Sequence, residues 1–313
     1  MSQGEPPGLH KPFDEYLQDQ TQLSTLLGTL VEKLRQGKSL ELQEQEFLSR
    51  FAKSVHARSV GSEFRTRISR MARLASHFYS EVTLAALSNP RIADRLEAAI
   101  ATGKRETGWV LAADIRNSTE LMLKAKDASN FATFLSAVSD RMNSGLTNPC
   151  GYFDKFTGDG WLAFFADGLC GSVAELYALN ASAFCHSEFS KVLNYHSPTL
   201  FGAERPRTGL GIGLAYGEIQ FVEIAKQKTI VGEAVVWACR LSGCPAGRTY
   251  LTRESMMRVR TRYPQLGGNF KTVQQLVKPK GRRAVGWWRG DLLDFPELEL
   301  LAPEWYQELN PEL

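Results

Sequence analysis

The sequence predicts an α+β protein, with one mostly antiparallel sheet, helices packed on one face of it, and a helical region in front. Three observations predict this. From Gly108 onward, short apolar runs of strand type alternate with segments of helical spacing. Two of those runs flank a Gly158-Asp159-Gly160 tip, which reads as a hairpin and hence as antiparallel pairing. Before Gly108, apolar residues recur at helical spacing instead.

Residues 1–12 read as a disordered tail, because Gly4, Pro6, Pro7 and Gly8 stand close together. Leu23, Leu26, Leu27, Leu30, Val31 and Leu34 then define a helix, with Gly37 as its stop. A second helix carries Phe47, Leu48 and Phe51, and a third carries Phe64, Ile68, Met71, Ala75 and Phe78 on one face. Arg65, Arg67, Arg70 and Arg73 on this third helix read as a solvated face. Residues 13–104 therefore form a helical N-terminal region, whose apolar faces need burial against the rest of the chain or a second copy. Residues 105–313 form the second domain.

Within the second domain, WVLAAD (109–114) is a strand, and a helix opens at Ser118 with Asn117 or Ser118 as cap and Glu120 in its first turn. Phe131, Phe134, Leu135, Val138 and Met142 continue that helical spacing until Asn148-Pro149 breaks the chain. Strands over 151–157 and 161–166 follow, then a helix from about residue 170 to 193. GLGIGLAYGEIQFVEIA (209–225) reads as two strands joined at Tyr216-Gly217, and Gly232 precedes the helical stretch EAVVWACRLS.

Composition narrows the classes. A 43% hydrophobic and 23% charged chain of 313 residues suits a soluble globular protein. A net charge of +3 argues against nucleic acid as the main partner. The N-terminus lacks the apolar core of a secretory signal, and no apolar run approaches the roughly 18 residues of a membrane helix, so a cytoplasmic protein with no membrane partner is expected. The cysteines, at 150, 170, 185, 239 and 244, form no CxxC pair and are expected to be buried free thiols. The histidines show no zinc-site spacing.

Two carboxylates stand out. Asp114 ends a buried strand just before a helix N-terminus, and Asp159 sits at the hairpin tip. Singly, each has a bland reading: a capping residue for Asp114, a turn aspartate for Asp159. If the strands that carry them are neighbours, both reach the same end of the sheet, beside free helix N–H groups that favour phosphate. Two close carboxylates repel unless one is protonated or a cation joins them. Mg²⁺ and Mn²⁺ take oxygen ligands and complete their shells with phosphate and water. Such ions can activate a hydroxyl and stabilise charge on a phosphoryl group.

Four segments, LAADIRNST (111–119), FDKFTGDGWLAFF (153–165), GIGLAYGEIQ (211–220) and TIVGEAVVWACRL (229–241), resemble in order the core segments of class III nucleotidyl cyclases. A fifth, VKPKGRRAVGWW (277–288), resembles that family's C-terminal segment. The resemblance spans roughly residues 105–290 and implies a ferredoxin-like cyclase core. It implies a head-to-tail homodimer with active sites at the interface, each using two Mn²⁺ or Mg²⁺ ions. One chain would supply metal ligands, here Asp114, Asp159 and the backbone carbonyl of Ile115. The other would supply Lys155 and Thr229 to read the base, Arg240 for the transition state and Lys280 for the triphosphate.

Two positions depart from the family's usual pattern. Many adenylate cyclases have aspartate where this chain has Thr229, whose hydroxyl can donate or accept. Some bacterial adenylate cyclases pair lysine with threonine, so ATP is not excluded. Val236 stands where an asparagine usually orients the ribose. Arg116 is a candidate to hold the ribose instead, and low activity is the other outcome. With no recognisable sensor domain, the chain is most similar to the pyrimidine cyclases of bacterial anti-phage signalling. That resemblance implies a UTP substrate ahead of CTP, and a cyclic product read by a separate effector. Trp161 or Trp237 would narrow a pyrimidine pocket, or else pack in the core. An adenylate or guanylate cyclase and a catalytically silent nucleotide-binding regulator are the alternatives.

Overall fold

The structure is a computed structural model, which describes Phe47 and residues 90–147, 150–202, 205–277 and 285–292. The expected tail, the faces of the three N-terminal helices with their arginines, and Lys280 lie outside the described residues, Phe47 excepted. The chain divides into two compact units at Leu96 and Glu97, and the second carries the sheet.

Helix α1 (Pro90–Ala99) leads to strand β1 (Arg105–Arg116). Helices α2 (Ser118–Lys124) and α3 (Ala128–Thr147) follow, then the hairpin of β2 (Tyr152–Phe156) and β3 (Gly160–Ala166). The short helix α4 (Asp167–Cys170) and a 3₁₀ turn precede the long α5 (Ala174–Leu200). Next come β4 (Gly209–Ile224), β5 (Gln227–Val231), α6 (Glu233–Leu241), β6 (Arg248–Thr252) and α7 (Arg253–Arg262). A second 3₁₀ turn leads to β7 (Phe270–Val277) and β8 (Val285–Leu292).

The strands lie in the order β2-β3-β1-β4-β6-β8-β7, with β5 paired to the far end of β4. Every pair is antiparallel except β4 with β6. β1 is central, which explains why Trp109 to Ala113 is apolar at every position: both faces of the strand are covered. Trp109, Phe164, Phe165 and Phe221 are fully buried along the sheet.

Four expectations about the elements and their packing need correction. The stretch after Ser118 is two helices rather than one, because Ala125 is extended and the Asp127 carboxylate caps α3 by accepting the Asn130 N–H at 2.7 Å. The helix expected from residue 170 starts as a separate short turn, and its main body runs on to Leu200. Residues 209–224 are one strand: β4 pairs with β1 without a break from Gly209 to Gln220, and Gly217 merely faces Gly108. The reversal comes later, at Ala225 and Lys226, with φ of 51° and 64°, as a tight two-residue hairpin turn needs.

The fourth correction concerns the faces. Helices pack on both sides of the sheet. A Cβ on Gly213 would lie 2.0 Å from the Ala238 carbonyl oxygen, and one on Gly211 would lie 2.3 Å from that of Ser242. α6 therefore presses its backbone onto the face that Gly211 and Gly213 present, and only residues without a side chain permit it. On the opposite face, where Ile212 pairs with Thr249, the α5 residue His186 bonds the Thr249 hydroxyl at 2.9 Å. Among the cysteines, four are buried and free as expected, but Cys239 is exposed on α6. Among the described residues, no helix is long and apolar enough to cross a membrane.

Two outcomes follow from this packing. Gly213→Ala should destabilise the protein by about 2 kcal/mol, since the methyl meets helix backbone rather than a movable side chain; urea denaturation measures it. His186 is held neutral, its pKa lowered by burial from 6.5 to about 4. Protonation thus favours the unfolded chain, so this contribution to stability is complete above pH 6.5 and is lost as pH falls towards about 4. In thermal melts across that range, His186→Gln should flatten the decline.

Candidate active site

The pairing of β1 with β3 sets Asp114 opposite Gly160. One step beyond, the Ile115 N–H donates to the Asp159 carbonyl at 2.8 Å. The tip turns through Gly158, whose φ of +99° suits glycine, and a Cβ on Gly160 would lie 2.4 Å from the Ala113 carbonyl oxygen. The expected meeting of the two aspartates at one end of the sheet is thus present.

Each carboxylate has one polar partner here. Arg116 Nη1 donates to Asp114 Oδ2, and Ser118 Oγ donates to Asp159 Oδ2 at 2.6 Å. Burial raises the pKa of Asp114, the Arg116 hydrogen bond opposes this, and the charge of Asp159 raises it further. The two carboxylates therefore repel across the gap, which is the electrostatic setting a cation relieves. Asn117 holds the N-cap position of α2, its carbonyl accepting the Leu121 N–H at 2.9 Å, but neither its side chain nor that of Ser118 caps the helix. The Asn117 side chain donates to the Arg207 carbonyl at 2.9 Å, and the Ser118 hydroxyl is taken by Asp159.

This donor set fits a hard divalent cation. The candidate side-chain ligands, Asp114 and Asp159, are carboxylates, and the Ile115 carbonyl belongs to the same strand end, so the set offers oxygen rather than thiol or imidazole. Among the described residues, no group of three or more His, Cys, Asp or Glu side chains gathers to hold a metal. An ion here would rely on two carboxylates, backbone oxygen and the oxygens of a substrate.

A second cluster joins β2 to β5. Lys155 Nζ donates to Thr229 Oγ1 at 2.6 Å, so the two residues assigned to base reading meet. Sequence reasoning missed the residue beneath them, Asp154, whose side chain is wholly buried. Its Oδ2 accepts the Thr229 hydroxyl at 2.8 Å and lies 3.2 Å from Lys155 Nζ, while its Oδ1 accepts the Ile230 N–H at 2.9 Å. The register of β2 on β3 shifts between Phe153 and Lys155, so Asp154 is the extra residue of a β-bulge. The available signal was an acidic residue inside a strand, directly before a lysine.

Arg240 is exposed in the last turn of α6, its guanidinium 5.4 Å from the centre of the Trp237 ring. Trp237 Nε1 donates to Glu233 at 3.0 Å. Val236 is 49% exposed on the same helix, so an apolar group faces outward where an amide was expected. Trp161 is buried in the core. An open cavity of about 500 Å³ is lined by Arg105, Tyr216, Glu218, Trp237 and Glu254, among others; none of Asp114, Asp159, Lys155 or Thr229 borders it.

No family model matches the chain. An adenylate cyclase of Anabaena cylindrica is 26% identical over 199 residues, which is 62% of this chain and 38% of that protein. The chain thus aligns with well under half the length of that relative. Among solved structures, the adenylyl cyclase CyaB from P. aeruginosa matches with a TM-score of 0.52 and 19% identity, over 63% of this chain and 98% of that one. The guanylyl cyclase Cya2 matches with a TM-score of 0.53 and 19% identity, over 64% and 99%. The sheet and its helices have the class III cyclase fold. One of these structures is named for adenine chemistry and the other for guanine, so the fold does not select a base.

Removing even an outer-sphere partner of a metal ligand weakens binding about 10–100-fold. Asp114→Asn and Asp159→Asn should each weaken Mn²⁺ binding by at least that much, measured by the paramagnetic signal of free Mn²⁺ in a titration with nucleotide present. Unchanged affinity in either variant would count against that ligand.

Proposed function

We propose that this protein is a metal-dependent nucleotidyl cyclase. It joins the ribose 3′-oxygen of a nucleoside triphosphate to the α-phosphorus and releases pyrophosphate. One observation carries the reading: Asp114 and Asp159 converge at one end of a cyclase-type sheet, held there by the Ile115–Asp159 backbone bond. Two Mn²⁺ or Mg²⁺ ions bound by these carboxylates and the Ile115 carbonyl would supply activation of the 3′-hydroxyl and neutralise phosphate charge.

The residues of the chain divide the remaining work. Lys155 and Thr229 hold the base edge. Arg240 and Lys280 offset the charge that builds on the phosphorus oxygens and the departing pyrophosphate. Val236 gives the ribose no hydrogen bond, which leaves its orientation to other groups such as Arg116. The site is shared across a homodimer, with the carboxylates from one chain and the base-reading and arginine residues from the other. Exposed apolar side chains on the elements concerned support that assembly: Phe156 on β2, Ile224 and Val231 on the β4–β5 hairpin, and Val236 on α6.

The finer reading is a pyrimidine cyclase that takes UTP ahead of CTP, works in the cytoplasm, and makes a second messenger of anti-phage defence for a separate effector. Thr229 stands where many adenylate cyclases carry aspartate, and this altered base-reading position supports the finer reading.

Incubation with each of the four nucleoside triphosphates and Mn²⁺, followed by chromatography, should give cyclic UMP as the main product. A product from ATP alone would overturn the pyrimidine part, and no cyclic product from any of them would overturn the cyclase reading. Asp159→Ala and Arg240→Ala should each lose about 100-fold or more in turnover, as losses of transition-state stabilisation do. Mixing these two variants should restore activity through dimers with one intact site.

A further inference from the structure

We infer that Asp154 is a positioning residue that fixes the hydrogen-bonding sense of Thr229 and so sets which base the protein accepts; this rests on the reading of Lys155 and Thr229 as the base-reading pair. The argument is a count of protons. Asp154 Oδ1 is occupied by the Ile230 N–H, and Oδ2 receives both the Lys155 ammonium and the Thr229 hydroxyl. With an ammonium 3.2 Å from Oδ2 and a backbone donor on Oδ1, the carboxylate is held as an anion, which can only accept.

Thr229 must therefore donate its single hydroxyl proton to Asp154. It also accepts from Lys155 at 2.6 Å, which uses one of its two lone pairs. One lone pair and no proton remain. A residue that could in principle donate or accept is converted into an acceptor, and Lys155 beside it remains a donor. Asp154 follows Tyr152 onto the buried side of β2 by ordinary alternation, and the bulge brings Lys155 alongside it.

A base must then present an N–H to Thr229 and an acceptor to Lys155. Uracil meets this with its ring N3–H towards Thr229 and its O4 towards Lys155. Cytosine in the same pose presents an unprotonated ring nitrogen to an oxygen lone pair and an amine to an ammonium. With the ring nitrogen held towards Thr229, the one proton that Asp154 controls separates amino from keto bases of one ring size. A buried polar site rejects a mismatched partner strongly, because both groups lose their hydrogen bonds.

Asp154→Asn is the direct test. Asparagine keeps an oxygen for the Ile230 N–H and turns an amide donor towards Thr229, which frees the threonine proton. Two ratios are measured, UTP against CTP and ATP against GTP. Each is taken from kcat/KM and from calorimetric binding of the α,β-methylene analogues, which cannot release pyrophosphate. The ratio for the preferred ring size should fall at least about tenfold, and Thr229→Val added to Asp154→Asn should change it little further, because both act through one hydroxyl. A purely structural role for Asp154 would lower all four nucleotides together and leave the ratios intact.

Turnover with an unchanged ratio in Asp154→Asn overturns the inference while the cyclase reading stands. Absence of turnover in the unaltered protein, with analogue binding whose base ratio collapses in the variant, overturns the cyclase reading and supports the inference. If no triphosphate is turned over and no analogue binds, both are overturned. Should Asp154→Asn fail to fold, Thr229→Val alone carries the test: it removes the same hydroxyl, and an unchanged ratio overturns the inference.

Discussion

The antiparallel pairing of β1 with β3 is the constraint on which the rest of the site depends. Side chains alternate across a strand, so a slip of one residue would send Asp114 to the opposite face and carry the hairpin tip out of reach. The pairing from Gly108 to Asp114 is continuous, and the Ile115–Asp159 backbone bond closes it where the ladder ends. Large buried residues along the two strands, Trp109, Phe164 and Phe165, make a slip costly. The core thus fixes a register whose chemical consequence appears only at its rim.

The same face must also leave room for a helix. α6 lies directly on the strand that carries Gly211 and Gly213, with helix carbonyls where side chains would otherwise stand. Asp114 pairs with Gly211, so the first carboxylate shares its face with the helix that carries Arg240. In the proposed homodimer the carboxylates and Arg240 of one chain serve different sites, each meeting its counterpart from the partner subunit. α6 thus covers the face that Asp114 shares, and α5 covers the opposite one.

Much of this was legible in the sequence. The apolar run before Asp114, the glycine-flanked tip and the break at Gly232 each have local causes, so strand, hairpin and helix start were readable, and with them the meeting of Asp114 and Asp159. What was not legible had non-local causes. Gly217 resembles a turn residue, but it lies within a strand that β1 holds along its whole length; the true turn is made by Ala225 and Lys226, which carry no glycine signal. Ser118 and Asn117 looked like caps, but each side chain found a partner distant in sequence. Gly211 and Gly213 carried no signal for the second helical layer, because a glycine in a strand does not say what lies over it.

Asp154 shows the same limit at the level of one proton. In sequence it is one charge in FDKF, and alternation can place a residue on the buried side of β2 but offers no reason for a carboxylate there. A wholly buried anion is tolerated only where donors surround it. Here those donors come from β5, 75 residues away for Thr229 and 76 for Ile230, and from the neighbouring Lys155. The desolvation that raises its pKa is opposed first by Thr229, then by Lys155 and the Ile230 N–H. The hairpin is therefore a rigid arm with two polar ends: Asp159 at the tip faces the proposed cation site, and Asp154 at the bulge holds the proposed base-reading pair. One inserted residue sets Lys155 beside that buried carboxylate, and so ties the charge on β2 to a hydroxyl on β5.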